Sequence, residues 1–117
     1  MADFYCDEVL TGSTKVNVVL ETEHILAFHH THPYYEAHVV IVPKLHIDSL
    51  SSVRNVHPEL AIDFVNAIAE VSRLLESKYG GCRVSSNIGS YQSTKHLHWY
   101  VHAGNRLRDE DGSPIKK

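Results

Sequence analysis

Gln92-Ser93-Thr94-Lys95-His96-Leu97-His98-Trp99-Tyr100-Val101-His102 alternates polar and apolar residues through its last seven positions. A period of two belongs to a strand, whose successive side chains point to opposite faces. On a strand over 95–102, His96, His98, Tyr100 and His102 share one face, and Leu97, Trp99 and Val101 share the other. The second set reads as a core face. The first is a row of imidazoles and one phenol spaced about 7 Å apart, two residues of strand rise. Imidazoles that close fix one another's tautomers through water or a backbone carbonyl, and a histidine so oriented presents a lone-pair nitrogen as nucleophile or base. Two other readings share the pattern. One is a solvated polar face on an edge strand. The other is a metal site, since His-x-His on a strand can chelate Zn²⁺ or Cu²⁺; carboxylate or cysteine partners at matching spacing are not evident.

Working outward, the helix that precedes this strand is read over 58–78. Leu60, Phe64, Ile68, Val71 and Leu75 recur at intervals of three and four and build one apolar stripe. Pro58 suits a first helical turn, and Gly80-Gly81 suits a left-handed C-terminal cap. Strands are expected at 15–21, 24–29, 37–43 and 82–88, with a short helix at 3–10. In the first of these Val16, Val18 and Leu20 share a face. Pro33 and Pro43 bound the third strand, because proline cannot donate to a ladder. Three strands, one long helix and two strands argue for an α+β fold with a mostly antiparallel five-stranded sheet. Residues 1–104 read as a single domain and 105–117 as a polar tail, extended or mobile.

The chain has 117 residues, 43% apolar and 21% charged, which suits one globular domain and excludes a wholly disordered one. The formal charge is −3, so no broad basic field favours nucleic acid. No stretch approaches the ~20 apolar residues that span a bilayer, and the acidic N-terminus is no signal peptide. Cys6 and Cys82 form no CxxC pair and fit a reducing cytoplasm better than secretion. The glycine fingerprints of nucleotide loops and the GxSxG hydrolase elbow are missing. Histidine is abundant, with ten residues, and seven of them fall in two groups: His29, His30, His32 and His38, then His96, His98 and His102. Its unperturbed pKa of about 6.5 makes such grouping a sign of acid–base, nucleophilic or metal chemistry.

Gln92-Ser93 followed by His96-Leu97-His98-Trp99-Tyr100 resembles the signature of the histidine triad superfamily, a Gln-Ser pair and then His-φ-His-φ-His with φ apolar. A second block, from Phe28 through His30, Pro33 and Ala37-His38 to Pro43-Lys44-Leu45-His46-Ile47, resembles the family's F-x-D-x-x-P-x-x-x-G-H-φ-L-V-φ-P-K-x-H-φ. Asn87, shortly before Gly89, stands where the family has Asn-x-Gly. The likeness spans residues from about 14 to 104.

The resemblance implies a protein that binds a nucleoside monophosphate unit and transfers it through a histidine. His98 would attack the α-phosphorus, and water would release the monophosphate. The substrates implied are nucleoside phosphoramidates, as for a phosphoramidase, or dinucleoside polyphosphates. His96 would orient its neighbours and the phosphate, and His38 would lie against His98. Asn87, Gln92 and Ser93 would donate to phosphate oxygens or the leaving group. Lys44 and His46 read as structural. Three departures stand out: Tyr100 replaces the third histidine, His30 replaces the acid that grips ribose, and Ala37 replaces a glycine. His102, on the same face, could partly substitute for the lost imidazole. Tyr34 and Tyr35 suit either a base pocket or packing. The resemblance further implies a homodimer and a purine nucleotide or nucleotide conjugate as partner. Charge and hydropathy argue against nucleic acid and membrane, no cofactor is expected, and because Cys6 stands alone where some relatives have a set of structural zinc ligands, no metal is expected. Two alternatives remain open: a low-turnover nucleotide-binding or regulatory protein, and a metal-binding protein using the histidine clusters.

Overall fold

The computed structural model describes residues 9–10, 12, 15–92, 94–109 and 111–115. The expected helix at 3–10 and Cys6 therefore lie almost wholly outside the described residues. The order is β1 (Val18–Glu21), β2 (Ile25–His29), β3 (Tyr35–Pro43), a 3-10 turn (Leu50–Asn55), α1 (Pro58–Tyr79), β4 (Arg83–Ser86), a second 3-10 turn (Gly89–Tyr91) and β5 (Trp99–Arg106). The strands form one antiparallel sheet in the order β1-β2-β3-β5-β4. The fold is the α+β arrangement the pattern predicts, with β5 in the interior of the sheet and not at an edge.

α1 lies across one face of the sheet and packs chiefly on β5 and β3. Its first turn carries Pro58, and Gly80 ends it in the left-handed conformation with its N–H on the Glu76 carbonyl. Leu60, Phe64, Ala67, Val71 and Leu75 are the buried stripe, so Ala67 takes the central place and Ile68 only flanks it. They meet Ile25, Ala27, Val39, Ile41, Val101 and Ala103 from the sheet. The opposite face carries a smaller cluster of Val9, Leu26, Phe28, Val40 and Val42, with Val16 and Tyr100 against it.

Strict alternation fails at two bulges. One lies between Val18 and Leu20 in β1, so Val16 joins the outer cluster while Leu20 packs on the helix side. The other lies between Tyr35 and Ala37 opposite β5. There Gly104 adopts φ +83°, and a Cβ on it would stand 2.8 Å from the Glu36 Cβ, so only glycine fits the close approach. The last strand runs four residues later than 95–102. Leu97 donates its N–H to Ile47 in a loop at 2.6 Å, and ladder pairing starts at Trp99. Beyond β5, Leu107 bonds Tyr34, Ile115 bonds Leu107, and Arg108 pairs with Pro114, so 107–115 folds back in a turn and is not simply extended. Among the described residues no helix is long and apolar enough to cross a membrane.

Candidate active site

The outer sheet face carries the chemistry. Cross-strand register places Val40 opposite Tyr100, His38 opposite His102, and Ser85 opposite Tyr100. Tyr100 and His102 thus share the face of His38, as alternation predicts, while Trp99 packs on the helix side. The expected single row of four does not form on one strand. His96 and His98 precede β5, in a segment held by Leu97 to Ile47 and by Ser86, whose hydroxyl donates to the His98 carbonyl at 2.8 Å.

His98 is 1% exposed. Its Nδ1 lies 2.7 Å from the His96 carbonyl. A carbonyl only accepts, so Nδ1 carries the proton and Nε2 is the lone-pair nitrogen of the ring. His96 is fully buried, and its Nε2–H donates to the Pro43 carbonyl at 2.8 Å. The His46 ring meets it edge-on at 5.2 Å, and His46 also bonds Asp48 at 2.8 Å. Lys44 pairs with Glu21 at 2.6 Å. His96 is thus tied to the end of β3 and His46 packs against it, while Lys44 is paired with Glu21.

His38 is placed differently from the expectation that it lies against His98. Its ring stacks on His30 at 4.4 Å and meets Tyr100 at 5.0 Å and His102 at 5.9 Å. Tyr100 in turn meets His98 at 5.1 Å, so the phenol relates the two imidazoles. His38 Nδ1 accepts the Tyr34 N–H at 3.0 Å, and His30 Nδ1 accepts the His32 N–H at 2.9 Å. An accepting nitrogen is unprotonated, so both rings are neutral with the proton on Nε2. Burial acts in the same direction. It lowers the His38 pKa to about 3, aided by the charges of His30 and His102. It lowers that of His30 to about 4, with smaller contributions from His32, His98 and Arg108. His102 is also lowered, first by burial and then by Arg83.

Of the expected phosphate donors, Asn87 follows Ser86 at the end of β4, and the preceding pair in the ladder is Ser86 with Trp99. It is half-buried. Ser93 lies outside the described residues. Gln92 is buried and engaged in the scaffold. Its Nε2 donates to the carbonyls of Asp48 and Thr94 at 2.8 and 3.2 Å, and its Oε1 accepts the Gly89 N–H at 3.1 Å. Its side-chain donors are thus taken by the backbone, which departs from the phosphate-donor expectation.

Two cavities open on this face. An apolar one of about 650 Å³ is lined by Val9, Leu10, Val16, Val18 and Leu26, with Lys15 and Lys44 among its polar residues. The other, about 430 Å³, lies among His30, Tyr34, Tyr35, His38, Tyr100 and His102. Tyr35 reaches it because the bulge reverses its face; its ring stacks on His102 at 3.9 Å with planes 17° apart. The sequence alone suits Tyr34 and Tyr35 to either a pocket or packing, and it carries no signal for Ser85, which also lines this cavity. Alternation marks Ser85 as a face-mate of Tyr100 only once the β4–β5 register is known. Among the described residues no group of three or more His, Cys, Asp or Glu is arranged to hold a metal ion.

The family model described as the HIT domain matches residues 11–107. An uncharacterized 13.2 kDa HIT-like protein of Azospirillum brasilense is 38% identical over 104 residues, covering 85% of this chain and 84% of that one. The solved histidine triad protein from Clostridium difficile is 32% identical, with TM-score 0.69 over 93% of this chain and 96% of that one. The solved HIT family hydrolase from Legionella pneumophila shares the fold, with TM-score 0.72 at 24% identity over 93% and 98% of the two chains.

Proposed function

The chain belongs to the HIT domain family, and from that membership we propose that it is a nucleotide hydrolase or transferase with His98 as its nucleophile. The observation that carries this reading is the His98 tautomer. Donation from Nδ1 to the His96 carbonyl makes Nε2 the nucleophilic nitrogen before any substrate arrives.

In the proposed reaction Nε2 attacks the α-phosphorus of a phosphoramidate or dinucleoside polyphosphate. The bond from phosphorus to the leaving nitrogen or oxygen breaks, and its electron pair departs with the leaving group, which takes up a proton. The nucleotidyl group stays on Nε2, where the ring is transiently cationic; the nearby His96 carbonyl stabilises that charge. Water then attacks phosphorus, the P–N bond breaks, its electrons return to the imidazole, and the monophosphate leaves. The apolar cavity suits the base, His30, which lines the neighbouring cavity, is the proposed ribose contact, and Asn87, Ser93 and Tyr100 are the proposed phosphate donors. Burial keeps His30 and His38 uncharged, so their Nε2–H groups and the hydroxyls act as hydrogen-bond donors, and the leaving group takes its proton from solvent.

The second reading is a nucleotide-binding protein with little turnover, favoured by Tyr100. A phenol donates a hydrogen bond but, with an ordinary pKa near 10, carries no positive charge at neutral pH. Homodimer formation is proposed through α1 and the edge strand β4, where Ile62, Val65 and Val84 are exposed apolar residues; sedimentation of Val65→Glu against wild type tests it.

The test of function is hydrolysis of adenosine and guanosine phosphoramidates and dinucleoside polyphosphates, wild type beside His98→Ala. Turnover lost by orders of magnitude in the variant supports the enzyme. No wild-type turnover with monophosphate still bound supports the binding protein. Equal turnover in both removes His98 from the mechanism.

A further inference from the structure

Residues 30–34 form the loop between β2 and β3, and the backbone of this loop is engaged on two sides. Its start is pinned by the His30 N–H, which donates to the His38 carbonyl at 2.8 Å. Two further N–H groups turn toward rings. His32 donates to Nδ1 of His30 at 2.9 Å, and Tyr34 donates to Nδ1 of His38 at 3.0 Å. Pro33, between them, has no N–H to offer. The loop carbonyls go elsewhere, to the C-terminal turn. Arg108 donates from Nε to the Pro33 carbonyl at 3.2 Å, and the Leu107 N–H donates to the Tyr34 carbonyl at 2.7 Å.

The turn is built to hold Arg108 in that place. Asp109 Oδ1 accepts the N–H groups of Asp111 and Ser113 at 3.2 and 3.0 Å, and the Asp109 N–H donates to the Ser113 carbonyl at 2.9 Å. Gly112 takes φ +88°, and a Cβ on it would stand 3.2 Å from the Tyr34 hydroxyl, so the turn lies directly against the loop. The Gly112 carbonyl accepts from Arg108 Nη1 at 2.9 Å. One half-buried guanidinium therefore joins two carbonyls from segments about 80 residues apart, which its planar fork can do and a single ammonium cannot. Burial is the main cause of the low His30 pKa, and the charge of Arg108 is close enough to add to it. The segment carrying His98 is held separately, by Pro43, Ile47 and Ser86.

We propose that Arg108 is a positioning residue for His30 and His38: by tying the Pro33 carbonyl to the C-terminal turn, it keeps the His32 and Tyr34 N–H groups on the two Nδ1 atoms, so that each ring carries its proton on Nε2 and donates it in a hydrogen bond to the ligand. It rests on the nucleotide reading for the identity of that ligand alone. The coupling of Arg108 to the two tautomers stands on the loop itself.

Ring-nitrogen NMR shifts of the histidines at pH 7 read the tautomers without any turnover. Wild type is expected to show an unprotonated Nδ1 and a protonated Nε2 at both His30 and His38. In Arg108→Ala both rings are expected to average between tautomers, and adenosine monophosphate to bind about tenfold more weakly. Arg108→Lys, which keeps the charge but cannot bond both carbonyls, is expected to restore the tautomers only in part. Hydrolysis by Arg108→Ala is expected to show KM raised about tenfold and kcat within about twofold of wild type, because His98 is held independently. Wild-type tautomers in Arg108→Ala overturn the proposal; should that variant fail to fold, wild-type tautomers in Arg108→Lys overturn it. Altered tautomers with unchanged affinity, or a fall in kcat at constant KM, overturn the role in ligand binding. Failure of the transfer reading is a separate result, seen as absent hydrolysis by wild type while the tautomers still report on Arg108.

Discussion

His98 donates from Nδ1 to the carbonyl of His96, 2.7 Å away, across a single intervening residue. The contact is local, yet it depends on distant parts of the fold. His96 is fixed by Pro43 at the end of β3, Leu97 by Ile47, and the His98 carbonyl by Ser86 of β4. The proposed nucleophile is oriented by contacts to β3, to the Ile47 loop and to β4 that meet where β5 begins.

Gln92 is the clamp that closes this region. Replacing it by Ala leaves the Asp48 carbonyl and Gly89 N–H without their side-chain partners. Thermal or chemical melting of Gln92→Ala is expected to show a loss of about 1–3 kcal/mol. Turnover should fall with it, because the loop that precedes His96 loosens.

Stability is expected to fall in acid through His30 and His38. Their folded pKa values are about 4 and about 3, against about 6.5 in an unfolded chain. Above about pH 6.5 both states hold the rings neutral and the contribution is complete. Below it the unfolded state binds protons that the folded state refuses, so stability is lost as pH falls through about 4 toward about 3. Denaturant midpoints measured from pH 7 to 4 should decline, and His38→Gln, which cannot titrate, should flatten the decline.

Gly104→Ala is expected to destabilise by about 1–3 kcal/mol. The residue has φ +83°, and the new Cβ meets the Glu36 carboxylate oxygen at 2.7 Å and its Cβ at 2.8 Å. Adding Glu36→Ala removes the carboxylate contact alone, so melting of the double variant should recover only part of the loss.

Tyr100→His is expected to raise kcat about tenfold, because an imidazole in that place can carry positive charge toward the phosphate. Steady-state rates on one phosphoramidate check it. An unchanged rate would mean that the phenol already supplies what the reaction needs.

Much of this was legible in the sequence because it rests on periodicity. Alternation placed Tyr100 and His102 on one face and Trp99 and Val101 on the other, and the α1 stripe emerged from spacings of three and four. What escaped depends on partners. Leu97 alternates like a strand residue, yet its N–H goes to a loop carbonyl, so β5 starts at Trp99. Tyr35 changes face because of a bulge that packing of β3 on β5 determines. Nothing in the pair Gln92-Ser93 tells whether an amide faces ligand or backbone; the Asp48 carbonyl decides it, 44 residues away. His38 shares the outer face with Tyr100 as alternation predicts, and Tyr100 is the ring it meets on the side of His98.

The central claim is a covalent bond between His98 Nε2 and a nucleotide. Rapid alkaline quenching of wild type with an adenosine phosphoramidate, followed by peptide mass spectrometry, tests it directly, since a phosphoramidate at histidine survives base and is lost in acid. The account predicts a nucleotidyl adduct on the peptide containing His98, absent after acid treatment and absent from His98→Ala. Turnover with no adduct in wild type, or an adduct that persists in His98→Ala, would contradict it.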